Sequence, residues 1–226
     1  MRQNQARFES FPWEMEILEL EKLFDVIDDF LTNEQTKKNH LDKKDVMYTD
    51  DTLGNPTQLL LAGVQIFRRQ MVVLLKTYLE KIIKDFSINI FIGKPEKMAK
   101  YLLSDEFQDG KIELEKILGE SKTTILNELP QKATARVTKG ELRKILNRLE
   151  ELSEAKIEKH TRKTLINLNE IRTHIVHEAS SDEISPELLH ESFEAVRDLI
   201  VSFREVCAIN NISDVEDWEE DTDTLD

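Results

Sequence analysis

Cysteine is nearly absent: Cys207 is the one thiol in 226 residues. That rules out an intrachain disulfide and any zinc site built on paired cysteines. Glycine (6) and proline (5) are sparse, too few for the tight turns of a chain made of many short strands. Long apolar runs are missing as well, since LLLAGVQIF is broken by Arg68 and Arg69 well before the roughly 20 residues a bilayer span requires. No charged-then-apolar leader opens the chain, and with so little cysteine this predicts a reducing, cytoplasmic setting with no membrane association. Basic residues are outnumbered, 31 Lys and Arg against 45 Asp and Glu, for a formal net charge of -14. That balance argues against broad, nonspecific attraction to nucleic-acid phosphates.

What the chain does contain is helical periodicity. Ile17, Leu20, Phe24, Ile27 and Leu31 recur three and four apart and predict an amphipathic helix over Trp13–Leu31. Pro56 opens a longer one, with Leu60, Val64, Phe67, Met71, Leu74, Tyr78 and Ile82 in register and further apolar residues on neighbouring faces, which makes it the central helix. SINIFIG (87–93) fits either the end of that helix or a short strand, and the helix end is preferred. Short helices are expected over Pro95–Leu103, Ile112–Leu118 and Thr123–Leu129, separated by Gly110, Gly119 and Pro130. Thr138 and Glu141 have capping-box spacing ahead of Leu142, Ile145, Leu146, Leu149 and Leu152. Thr161 or Thr164 opens the next helix, and Ser185-Pro186-Glu187 opens the last, whose stripe Leu189, Phe193, Val196, Ile200, Phe203 and Cys207 places the cysteine in the core. The expectation is an all-α, up-and-down helical bundle with extra short helices. It forms one domain over residues 1–212, with a mobile polar loop at 36–56 and a disordered acidic tail at 213–226.

Charge is unevenly spread. Between Gln131 and Lys163 ten Lys or Arg face five Glu, whereas Asp214–Asp226 holds eight acids and no base. One reading is a basic working surface for RNA, formed by Lys139, Arg143, Lys144, Arg148, Lys159, Arg162 and Lys163, with a tail that screens or mimics nucleic acid; the other is a solvated helix face and a solubilising tail.

The stretch EIRTHIVHE (170–178) breaks the pattern. With Leu165 at zero and about 100° per residue, Leu168, Ile171, Ile175 and Val176 span an apolar sector from about 240° round to 20°, and Arg172 falls inside it at about 340°. A guanidinium there needs a carboxylate, several carbonyls or a phosphate, so Arg172 is either a structural ion-pair anchor or an anion-binding group. Glu170, Thr173, His174 and His177 form a polar strip on another side of the same helix. His177 lies about 140° from Arg172, so the two converge only through the long Arg arm, at a helix end, or where two copies of the helix meet. Histidine takes and gives protons near neutral pH while Arg stabilises a charged phosphate, the minimum equipment for cutting RNA. A metal reading through His174, His177, Glu170 and Glu178 lacks the i, i+4 histidine spacing and a firm third ligand, so neither metal nor cofactor is expected.

Arg172-Thr173-His174-Ile175-Val176-His177 matches R-x4-H on the penultimate long helix of a helical chain, and in this it resembles the HEPN superfamily (higher eukaryotes and prokaryotes nucleotide-binding). The apolar helix MVVLLKTYLEKIIKDF is similar to the one that precedes that motif in stand-alone, nuclease-like members. The resemblance implies a metal-independent endoribonuclease acting as a homodimer. Arg172 and His177 of two protomers would form a composite cleft, with Arg172 on the phosphate, His177 as general acid/base, and Glu170, Thr173 and His174 in support. It also implies a toxin or defence role held in check by a partner or antitoxin protein. Two departures stand out: Thr173 occupies a place usually held by Asn or Asp, and Ala179 stands where some toxin members carry a regulatory tyrosine. The alternatives are a noncatalytic protein- or nucleotide-binding module of the same fold and, more distantly, an immunity protein working through its acidic surface.

Overall fold

The computed structural model describes residues 6–36, 56–102, 122–178 and 183–214. Residues 37–55 of the loop expected at 36–56, the helix expected over Ile112–Leu118 and the acidic residues from 215 onward lie outside them. The fold is an all-α bundle. Its helices are α1 (Ser10–Thr32), α2 (Pro56–Gly93), α3 (Met98–Leu102, after a 3-10 turn at Pro95–Lys97), α4 (Lys122–Val137), α5 (Leu142–Ser153), α6 (Lys159–His177) and α7 (Pro186–Ile209).

The central role read for the second long helix is found. SINIFIG continues α2, which at 38 residues is about 57 Å long and packs against α1, α4, α5, α6 and α7. Its Val72, Leu75, Leu79, Ile82, Phe86 and Ile90 are fully buried, and Phe86 stacks on Phe203 of α7 with ring centroids 3.7 Å apart. Phe8 meets both rings edge-on. It is carried there by a two-residue parallel pairing of β1 (Arg7–Phe8) with β2 (Ser213–Asp214), so two residues assigned to the tail belong to the folded body. Gly93 admits this closure, because a Cβ there would lie 2.8 Å from Ile212 Cγ1 and Ile212 is buried.

Caps explain the ends of α6 and α7. Ser185 caps α7 by accepting from the Leu188 N–H, with Pro186 at the first position, as its sequence predicts. Ser185→Ala is expected to cost about 1 kcal/mol in chemical denaturation. α6 opens at Lys159, earlier than either threonine: the Glu158 carboxylate accepts from the His160 and Thr161 N–H groups, which hold it below the usual carboxylate range. Two readings are corrected. Pro130 lies inside α4 instead of ending a helix before it; the proline forfeits one helix hydrogen bond, and packing of α4 on α2 sustains the helix. The Thr138–Glu141 capping box does not form. Thr138 is still finishing α4, its N–H and Oγ1 both donating to the Thr134 carbonyl, so its hydroxyl is committed to the preceding helix. Glu141 takes the N-cap position of α5 without a side-chain hydrogen bond.

Tyr101, buried against Phe91, donates its hydroxyl to the Arg148 carbonyl at 3.3 Å. Burial, seconded by Glu151, pushes its phenol up to about 12. Ionisation is therefore harder in the folded than in the unfolded chain, so the stabilisation is complete below pH 10 and is lost as pH rises from about 10 to 12. In Tyr101→Phe the urea midpoint is expected to fall less than in the wild type between pH 9 and pH 11.5, a difference of about 2 kcal/mol.

Candidate functional site at the end of the motif helix

α6 is held by its first half. Leu165 and Leu168 are fully buried, and Thr161 Oγ1 donates to Asp198 of α7 at 3.1 Å. Towards its C-terminus the cover ends: Ile171 and Ile175 are half-buried and Val176 is 46% exposed. The apolar sector read from the helical count is present, but its last turn has no complete lid within the described residues. Arg172 sits just before that turn, half-buried, and among the described residues no carboxylate or carbonyl receives its guanidinium. His174 and His177 are exposed in the last turn, as is Glu170 one turn earlier. Thr173 is half-buried, and its hydroxyl donates to the Asn169 carbonyl at 2.8 Å, which leaves only its oxygen to accept from a ligand. Among the described residues no three His, Cys, Asp or Glu side chains are grouped to hold a metal ion.

A buried ion-pair anchor, one of the two readings of Arg172, is found at another arginine. Arg68 of α2 grips Asp28 of α1 with two parallel bonds, Nε to Oδ1 at 2.7 Å and Nη2 to Oδ2 at 2.8 Å, and both side chains are 10% exposed. Arg68 Nη1 also reaches the Ile184 carbonyl at 3.2 Å, while the Gln65 amide pairs with the Ile184 backbone. The chain that follows the motif is thus tied to α2 just before α7. A helical count held the signal: Arg68 stands four residues after buried Val64, and Asp28 four after buried Phe24. Lys76 is another such residue, four after Val72 and only 3% exposed.

The expected basic surface divides in two. Lys139, Arg143, Lys144, Lys159 and Lys163 are exposed, although Lys139 stands in the turn before α5 and Lys144 lies 4.0 Å from Glu141. Arg148 and Arg162 are engaged inside the fold. Arg148 Nη1 donates to the carbonyls of Lys139 (2.6 Å), Val137 and Arg136, satisfying acceptors at the end of α4 that the helix itself leaves open. Arg162 binds Asn147 Oδ1 and the Arg143 carbonyl and lies 3.4 Å from Glu150, which joins α6 to α5.

Fold and surface together define a class: an α-helical bundle that presents an arginine and two histidines at the end of α6, which the described residues leave without full cover. No protein-family model, curated protein or solved structure matches the chain.

Proposed function

We propose that the protein is a metal-independent endoribonuclease of the HEPN type that acts as a homodimer through Arg172 and His177. The observation that carries this reading is the guanidinium of Arg172, half-buried on the helix side of Leu168, Ile175 and Val176 and with no acceptor among the described residues. A structural anchor needs its acid beside it, and that arrangement belongs to Arg68 and Asp28. Arg172 is available for a phosphate, which accepts the planar guanidinium fork through two oxygens.

In this reading two copies of the end of α6 meet across a two-fold axis, which covers Val176 and brings Arg172 of each copy toward His177 of the other. One imidazole takes the proton of an RNA 2'-hydroxyl as that oxygen attacks the adjacent phosphorus. Arg172 of the other copy stabilises the charge gathering on the phosphate, and the same imidazole, now protonated, gives its proton to the departing 5'-oxygen, so each dimer holds two such sites. The products are a 2',3'-cyclic phosphate and a 5'-hydroxyl. The exposed Lys139, Arg143, Lys144, Lys159 and Lys163 would guide the strand through salt-sensitive contacts. A toxin or defence role under a partner's control is part of the same proposal.

The test is purified protein with mixed RNA in excess EDTA. Cleavage to cyclic-phosphate ends is expected, with light scattering reporting a dimer. Absence of cleavage by a folded dimer would leave the binding-module reading in its place.

A further inference from the structure

A cleft of about 300 Å³ opens between α2, the α4–α5 turn and α6. Lys76, Glu80 and Lys84 line it from α2, Thr138 and Gly140 from the turn, and Asn169 from α6, over an apolar floor. The side chain of Lys76 is 4% exposed, and the one acceptor of its ammonium among the described residues is Glu80 Oε1 at 2.8 Å. An ammonium carries three donors, so a charge nearly withdrawn from water keeps two that no described side chain or carbonyl meets, an unfavourable state unless an acceptor arrives from the cleft. Glu80 itself is 62% exposed and stands at the open edge, where it can turn to solvent. Lys84 adds a second, exposed cation on the same helix side.

The opposite wall is equally rich in donors. Gly140 has a φ of 98°, and beyond it α5 begins without a side-chain cap. Its first internal bonds run from the Lys144 and Ile145 N–H groups to the Glu141 carbonyl, so the N–H groups of Leu142 and Arg143 have no acceptor among the described residues. Two ammonium groups, the start of a helix and the Asn169 amide therefore surround a space whose one anionic side chain is Glu80. A carboxylate ligand brings two oxygens to such a set, whereas a phosphate brings three with more charge.

We infer that this cleft is a phosphate-binding site, held by Lys76 and Lys84 with the α4–α5 turn. Asn169 precedes Arg172 by three residues and so neighbours it on the surface of α6, which places the α6 wall of the cleft within one turn of the motif. The phosphate comes either from a free compound or from the backbone of a bound RNA. Phosphate binding itself does not depend on the ribonuclease reading.

The experiment uses the full chain and pyrophosphate, followed by calorimetric titration and by melting temperature. The wild type is expected to bind pyrophosphate and melt higher, with no such rise in sodium chloride of equal ionic strength. Lys84→Glu and Lys76→Met should each weaken binding by roughly tenfold or more, while Lys22→Glu on α1, with the same change in net charge as Lys84→Glu, should leave it unchanged. Where Lys76→Met does not fold, Lys84→Glu against Lys22→Glu decides. Absent binding, or equal loss in Lys84→Glu and Lys22→Glu, overturns the site. Arg172→Ala/His177→Ala protein should still bind pyrophosphate, and this separates failure of the cleft from failure of the ribonuclease. Displacement of a short single-stranded RNA by pyrophosphate, lost in Lys84→Glu, assigns the phosphate to the RNA backbone; RNA binding unaltered in Lys84→Glu assigns it to a free compound.

Discussion

Alanine at Arg172 or at His177 is expected to lower RNA cleavage by a factor of about 10² to 10⁴, the range for losing a charge-stabilising or proton-transferring group. Melting temperature should move by no more than about 2 °C, because neither side chain is buried with a partner. The two variants differ informatively when mixed. If each site takes Arg172 from one protomer and His177 from the other, a mixed dimer carries one intact site and one doubly altered site. Subunit exchange in an equal mixture should then restore about a quarter of the wild-type rate, since half the dimers are mixed and each has one working site of two. A mixture as inactive as either variant alone would show that arginine and histidine act within one chain or that each site needs every copy. A fall of many degrees in Arg172→Ala would return Arg172 to a structural role.

Arg68→Leu, or Asp28→Ala, is expected to produce the largest loss of stability. Each leaves a charge buried without its partner, a change that costs about 3–5 kcal/mol and lowers the melting temperature by on the order of 10 °C in a chain of this size. The pair itself contributes less than that loss suggests, because withdrawing both charges from water opposes their attraction. Asp28→Leu combined with Arg68→Leu should therefore recover most of the stability lost by either alone. The double variant still lacks the Arg68 bond to the Ile184 carbonyl at 3.2 Å, so a residual deficit of about 1 kcal/mol is expected. Additive losses in the double variant would refute the account. Against these changes Arg172→Ala is an internal control: one arginine holds the bundle together, and the other is free of that duty.

The contrast between the two arginines shows what a pattern can convey. Both fall on apolar stripes, and the helical count flags both as requiring an anion. Periodicity says which face a residue occupies, but not whether another element covers that face at that height. α2 is covered along most of its length, so Arg68 is enclosed and Asp28 meets it from α1. Among the described residues α6 is fully covered only in its first half, so Arg172 lies where that cover runs out. The same limit explains the basic surface. Charge counts placed ten cations in one segment, yet the long arms of Arg148 and Arg162 turn back to carbonyls and an amide that only packing brings near.

By itself the sequence determined the helical class, the long central helix up to SINIFIG, the burial of Cys207 and the Ser185-Pro186 start of α7, because these depend on local spacing and on chemistry within one turn. Tertiary structure decided the rest. It paired Arg7–Phe8 with Ser213–Asp214, carried α4 through Pro130, committed Thr138 to the helix before it, locked Arg68 to Asp28, and assembled the Lys76 cleft from three separated segments. Each of these is a contact between residues distant in the chain, or a contest between two local partners, and its outcome depends on which groups the packed bundle removes from water together.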